Sequence, residues 1–192
     1  KMYLGDINQS IDKSLNEDYL KLLAKETKSK ICHLTKSYRS TLQISKFSQK
    51  ILGKKVANNV NRNGEEVQFI KTRNTVKALE KLIKEKQAKH KSKTLCIICK
   101  DRQEIDDLQK QSDIISKFEV LDETHEISGA KNIITTIINA KGVEFDMVVI
   151  PFANEDNYQT ELDKNLLYVS CTRALHNLYF IADKKPSRFL IK

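Results

Sequence analysis

Apolar residues along the chain fall in two rhythms. Short runs rich in Val, Ile, Leu and Phe predict strands at 67–71, 94–99, 118–121, 132–138, 146–152 and 178–182, with further strands at Met2–Leu4 and 31–36. Apolar residues three and four apart predict helices at 17–28, 40–52, 74–90, 101–111 and 160–172, with a short tail helix after Pro186. Acidic Glu17 and Asp18 suit the first turn of the first helix. Asn58 to Gly64 and Asp122 to Ala130 are rich in polar and turn-forming residues and read as loops. Strands that alternate with helices predict an α/β domain on a largely parallel sheet with helices on both faces. A seam is expected near residue 30, with a short piece of one domain before it and a complete domain at 31–192.

The chain has 192 residues, 40% of them hydrophobic and 31% charged, which excludes a disordered tail. Its apolar run from Met147 to Ala153 is only seven residues, far below the ~20 that span a bilayer. It opens inside a strand without a signal peptide, so a fragment of a longer cytoplasmic protein is expected. Cys96 and Cys99 have C-x-x-C spacing, but on a strand such positions point to opposite faces. No second Cys/His pair accompanies them, so buried, reduced thiols and no metal site are expected.

Charge changes the picture further. The net charge is +9, but residues 1–100 carry 23 basic and 9 acidic side chains while residues 101–192 carry 11 and 16. The helix at 74–90 presents a lysine face, which either is solvated or meets nucleic-acid phosphate. Only 6 of the 34 basic residues are Arg, so each Arg position merits inspection for the planar, phosphate-matching fork that Lys lacks.

Three clusters carry candidate chemistry. Gly5-Asp6-Ile7-Asn8-Gln9 follows a strand, and Ser37-Tyr38-Arg39-Ser40 sits at a strand-to-helix junction. The third cluster pairs Thr136-Ile137-Ile138-Asn139-Ala140-Lys141-Gly142-Val143-Glu144-Phe145 with Tyr168-Val169-Ser170-Cys171-Thr172-Arg173-Ala174. In this order and spacing they resemble the later motifs of superfamily 1 helicases of the UvrD-like kind, GD-x-x-Q, YRS, T-x-x-x-AKG-x-EF and YV-x-x-TRA. The resemblance runs from residue 4 to about 182.

That resemblance implies an ATP-driven motor of two RecA-like domains with ATP and Mg²⁺ in the cleft between them. The P-loop and the acidic Mg²⁺ motif, absent here, would belong to the first domain. Residues 1–30 would then end that first domain, and 31–192 would be the second, C-terminal RecA-like domain. The resemblance implies that Gln9 senses the γ-phosphate, that Tyr38 stacks on adenine, and that Arg39 and Arg173 act as arginine fingers. It also implies that Glu144 accepts from the ribose hydroxyl, that Gly142 lets the backbone approach the nucleotide, and that Thr136 and Lys141 lie near nucleic acid. Ile138 stands where many relatives carry His. Arg39 to Thr136 spans 97 residues, too few for the sheet elements there plus an inserted accessory domain. That spacing resembles the HelD-like branch, which implies RNA polymerase as a partner alongside DNA. The competing expectation is a degenerate, non-hydrolysing binding module on the same scaffold.

Overall fold

In a computed structural model of the chain, residues 17–32, 39–53, 62–89, 93–123 and 129–191 are described. The organising element is β2 (Leu95–Cys99), buried along its whole length. Leu95, Ile97 and Cys99 enter one core while Cys96 and Ile98 enter another, which is why its sequence is apolar without interruption. The C-x-x-C pair is thereby split between the two faces, and burial raises both thiols above their ordinary pKa. Around β2 stand β1 (Gln68–Lys71), β3 (Glu119–Leu121), β4 (Asn132–Thr136), β5 (Phe145–Ile150) and β6 (Ala174–Ala182). They form a six-stranded sheet in the order β1-β6-β5-β2-β4-β3, with every neighbouring pair parallel.

Helices cover both faces, as the alternation of elements requires. On one side α2 (Leu42–Leu52) packs Ile44 and Ile51, and α5 (Glu161–Cys171) packs Leu167 and Val169. On the other, α3 (Thr75–Lys89) supplies Leu79 and Ile83, and α4 (Arg102–Gln111) supplies Ile105 and Leu108. Full burial of each such side chain stabilises the fold by about 1.5–3 kcal/mol. The first helix, α1 (Glu17–Glu26), contributes nothing to either core and leaves Tyr19 and Leu22 exposed.

Three departures from the sequence expectation have a visible cause. Strand β4 stops at Thr136, because the Ala140 amide donates to the Thr136 carbonyl (3.0 Å) and turns the chain out of the sheet. Strand β6 begins at Ala174 rather than 178, since it pairs with β5 from Phe145 onward. No tail helix forms after Pro186. Instead Pro186 bridges Asn154, and the Ser187 hydroxyl donates to the Tyr158 carbonyl at 2.9 Å, tying the tail down as a turn. The expected strand at Met2–Leu4 and residues 33–36 of the next one lie outside the described residues; Ile31 and Cys32 are not in a strand.

Helix α5 starts in a capping box. The Asp163 amide donates to Thr160 Oγ1 (3.1 Å) and the Thr160 amide returns a bond to Asp163 Oδ2 (2.9 Å). Lys100, just past β2, holds the other carboxylate oxygen at 2.8 Å. Burial works against the charged form, but the bonds from Lys100, Thr160 and Gln159 prevail and hold the Asp163 carboxyl at about 2 instead of 3.8. A lowered acid stabilises the fold above its ordinary pKa and loses that contribution as pH falls through its folded value. Asp163→Asn is therefore expected to cost about 1–2 kcal/mol at pH 7, after allowance for solvent screening, and almost nothing near pH 2. Urea melts across that range check it, and an equal loss at both pH values would contradict it.

Candidate functional site

The return from β4 to β5 is unusually short. It runs from the C-terminal end of one parallel strand to the N-terminal end of another through residues 137–144, without a helix. Ile137 and Ala140 are fully buried in the core and anchor the passage. Gly142 turns it with φ +93°, a conformation that glycine adopts without steric cost, and a side chain there would meet only open space. The loop ends with Glu144 at the N-terminal end of β5.

Arg39, immediately before α2, meets it there: its Nε ion-pairs with Glu144 Oε1, and both side chains remain partly open to solvent. The contact is supported from behind. The Thr41 amide donates to the Leu175 carbonyl (3.2 Å), which binds the entry of α2 to the start of β6. Arg62 Nη1 donates to the Arg39 carbonyl (3.1 Å), and its Nη2 lies 3.0 Å from His176 Nδ1. His176 Nε2 in turn stands 3.4 Å from Asp146 Oδ1, and Asp146 Oδ2 accepts from the Thr94 amide and hydroxyl at 2.9 and 3.0 Å. Burial, then the nearby Arg62 and Lys93 charges, lower the His176 pKa against the opposing pull of Asp146. The neutral ring that results can accept from Arg62.

Arg173 belongs to the same edge but is held differently. It is only 1% exposed. Its Nε donates to the Val169 carbonyl (3.2 Å), Nη1 to the Val143 carbonyl (3.4 Å) and Nη2 to Thr172 Oγ1 (2.9 Å), while its own carbonyl accepts from the Phe145 amide (2.9 Å). Its side chain thus braces the loop that carries Glu144.

Of the residues picked from sequence, the structure brings Arg39, Gly142, Glu144 and Arg173 to one sheet edge. Thr136 stands at the opposite edge: Cys99 pairs with Thr136 but Leu95 with Met147, so four residues of strand, roughly 13 Å, separate the levels. Thr136 Oγ1 accepts from the Asn139 amide (3.3 Å) and caps the turn below exposed Ile138. Lys141 is exposed on the loop between these ends. Gln9 and Tyr38 lie outside the described residues. The sequence offers Asp146 only as the residue that follows Glu144-Phe145, and it offers no role for Arg62 or His176; the scarcity of Arg is the signal that could have found Arg62.

A family model described as UvrD-like helicase C-terminal domain matches residues 133–181, which contain Thr136, Gly142, Glu144 and Arg173. Among solved structures the chain is similar to the C-terminal domain of a possible DNA helicase from Lactobacillus plantarum WCFS1. The two are 31% identical with a TM-score of 0.67, over 81% of this chain and 92% of that one. A more distant likeness is the Sulfolobus solfataricus SWI2/SNF2 ATPase core in complex with dsDNA, with 18% identity, TM-score 0.40, and coverage of 81% and 34%. No curated protein matches the chain.

The two arginines should respond differently to substitution. Arg173→Ala removes one of the largest enclosed side chains together with its bonds to Val169, Val143 and Thr172, and is expected to destabilise the chain by about 3 kcal/mol or more. Arg39→Ala removes only a partly exposed ion pair and should cost under about 1 kcal/mol. Chemical denaturation of the two variants checks this, and equal losses would contradict the difference in burial.

Proposed function

Because the chain belongs to the UvrD-like helicase C-terminal domain family, we propose that it is the second motor domain of an ATP-dependent DNA helicase or translocase, whose Arg39–Glu144 edge closes over ATP held by a first RecA-like domain. The observation that carries this reading is the meeting of three separated segments, at Arg39, Glu144 and Arg173, on one edge of the sheet. The residues present suit part of a nucleotide. An exposed guanidinium matches phosphate, a carboxylate beside it matches a sugar hydroxyl, and the open backbone at Gly142 leaves room for close approach. Mg²⁺, which would neutralise phosphate charge, is assigned to the facing domain, where the helicase resemblance puts the acidic motif.

In the closed motor the Arg39 guanidinium leaves Glu144 for the γ-phosphate, whose greater charge outcompetes a single carboxylate, and stabilises the charge that develops during transfer. Glu144, released, accepts from the ribose. Arg173 is the second finger: its Nη1, 3.4 Å from the Val143 carbonyl, turns toward phosphate on closure. Gln9 and Tyr38 take the phosphate-sensing and adenine-stacking roles, and Thr136 and Lys141 face DNA from the far edge and the loop, respectively.

The compact, HelD-like branch is the finer proposal, with RNA polymerase as its partner and the cytoplasm as its location. It is supported by the elements between Arg39 and Thr136, because each of those described, α2 through β4, lies in the sheet or packs on it. No described helix is long and apolar enough to cross a membrane.

In the full-length protein, Arg39→Ala is expected to lower ATPase kcat roughly 10³-fold, and Arg39→Lys to fail as well, because a point charge does not reproduce the fork. The 192-residue chain alone should not turn over Mg-ATP. Wild-type turnover by Arg39→Ala would refute the finger role, and a full-length protein without ATPase would make this a binding module. Full-length protein that ignores core RNA polymerase but unwinds a tailed DNA duplex would remove the HelD-like assignment.

A further inference from the structure

Strand β1 is an edge of the sheet, and its side chains toward α2 are not covered by a further element among those described. Phe69 is 49% exposed there. Its ring lies nearly parallel to that of Phe180 on the neighbouring strand, with centroids 5.3 Å apart and planes at 12°. Phe47 of α2 meets it edge-on at 5.5 Å and 60°. Phe69 and Phe180 are paired in register on adjacent strands, so their stack runs across the sheet and its open end points past the edge.

A groove of about 650 Å³ opens beside this ring, between α2, β1 and the tail at Leu190. Its rim is basic. Lys46 and Lys50, four apart on α2, and Lys71, two beyond Phe69 on the same face of β1, line it against a single acid, Glu66, among the described residues. An aromatic face continuing outward and lysines at its rim match the two halves of a nucleotide unit, a flat base and a charged phosphate. An acidic peptide would answer the lysines but brings no planar group to extend the stack.

We propose that this edge is a stacking site for single-stranded DNA, with a base on Phe69 and phosphates against Lys46, Lys50 and Lys71. It rests on the DNA reading above but not on the nucleotide one. It is also separate from the position of Thr136, since β4 lies four strands from β1, roughly 19 Å across the sheet.

The chain contains no Trp, so Phe69→Trp installs a single indole at the site. Titration of this variant with a fifteen-residue oligothymidylate at low salt should quench its fluorescence, and added salt should reverse the quenching. In anisotropy measurements on the otherwise unaltered chain, Phe69→Leu, which keeps apolar bulk but removes the π-face, should weaken binding roughly tenfold. The Lys46→Ala/Lys71→Ala pair should flatten the log–log salt dependence by about 1.4. Circular dichroism confirms that each variant keeps its fold. Oligothymidylate binding without indole quenching, and with Phe69→Leu at wild-type affinity, overturns the site while leaving the DNA reading intact. A glutamate-rich, Phe-containing peptide that quenches the indole and displaces the oligonucleotide overturns it in favour of a peptide dock. Absence of oligothymidylate binding also overturns it, and the DNA reading then stands or falls on DNA stimulation of the full-length ATPase.

Discussion

Strand β2 lies between β4 and β5, and that placement constrains everything at the candidate site. The chain has to pass from the C-terminal end of β4 to the N-terminal end of β5 in residues 137–144, where parallel crossovers commonly take a dozen or more residues and a helix. So short a return cannot drift. Ile137 and Ala140 are fixed in the core, Gly142 takes the left-handed turn, and Glu144 arrives at the sheet edge with little freedom of position. The Arg39–Glu144 contact is possible because both partners are anchored: Glu144 by the crossing, Arg39 by the tie between Thr41 and Leu175 and by Arg62.

Burial divides the charged groups of this edge by task. Arg173 is enclosed and bonded to the carbonyls of Val143 and Val169, so it shapes the loop in the resting domain. Arg39 and Glu144 are half-open, and an exposed ion pair of this kind is worth little to stability. A pair that contributes little to the fold is cheap to exchange for a ligand. Beneath it Arg62 is exposed while His176 and Asp146 are partly covered, and the lowered His176 pKa keeps its ring an acceptor near neutral pH.

Much of the architecture was legible in the chain because its periods are strong. The continuous run Leu95–Cys99 reads as a strand buried on both faces, and the spacing of Leu79, Leu82 and Ile83 reads as a helix with one apolar side. The remainder depended on contacts between distant segments. Nothing local marks Ala174 as the start of β6, which is set by pairing with Phe145. The run at Ile137–Ile138 looks like more strand, yet it leaves the sheet because the Thr136 carbonyl is taken by Ala140. The motif residues were visible one by one, but the opposition of Thr136 to Glu144 follows only from strand register. Arg62, His176 and Asp146 come together from three parts of the chain with no shared motif.

In the proposed motor, Arg39 exchanges Glu144 for phosphate when two domains close. The measurement that tests this most directly is a crystal structure of the full-length protein with Mg-ADP and a fluoroaluminate that imitates the transferring γ-phosphate. The Arg39 guanidinium is expected within about 3 Å of the fluoride ligands and no longer on Glu144. A closed, nucleotide-loaded motor in which Arg39 still pairs with Glu144, and this sheet edge faces solvent, would contradict it.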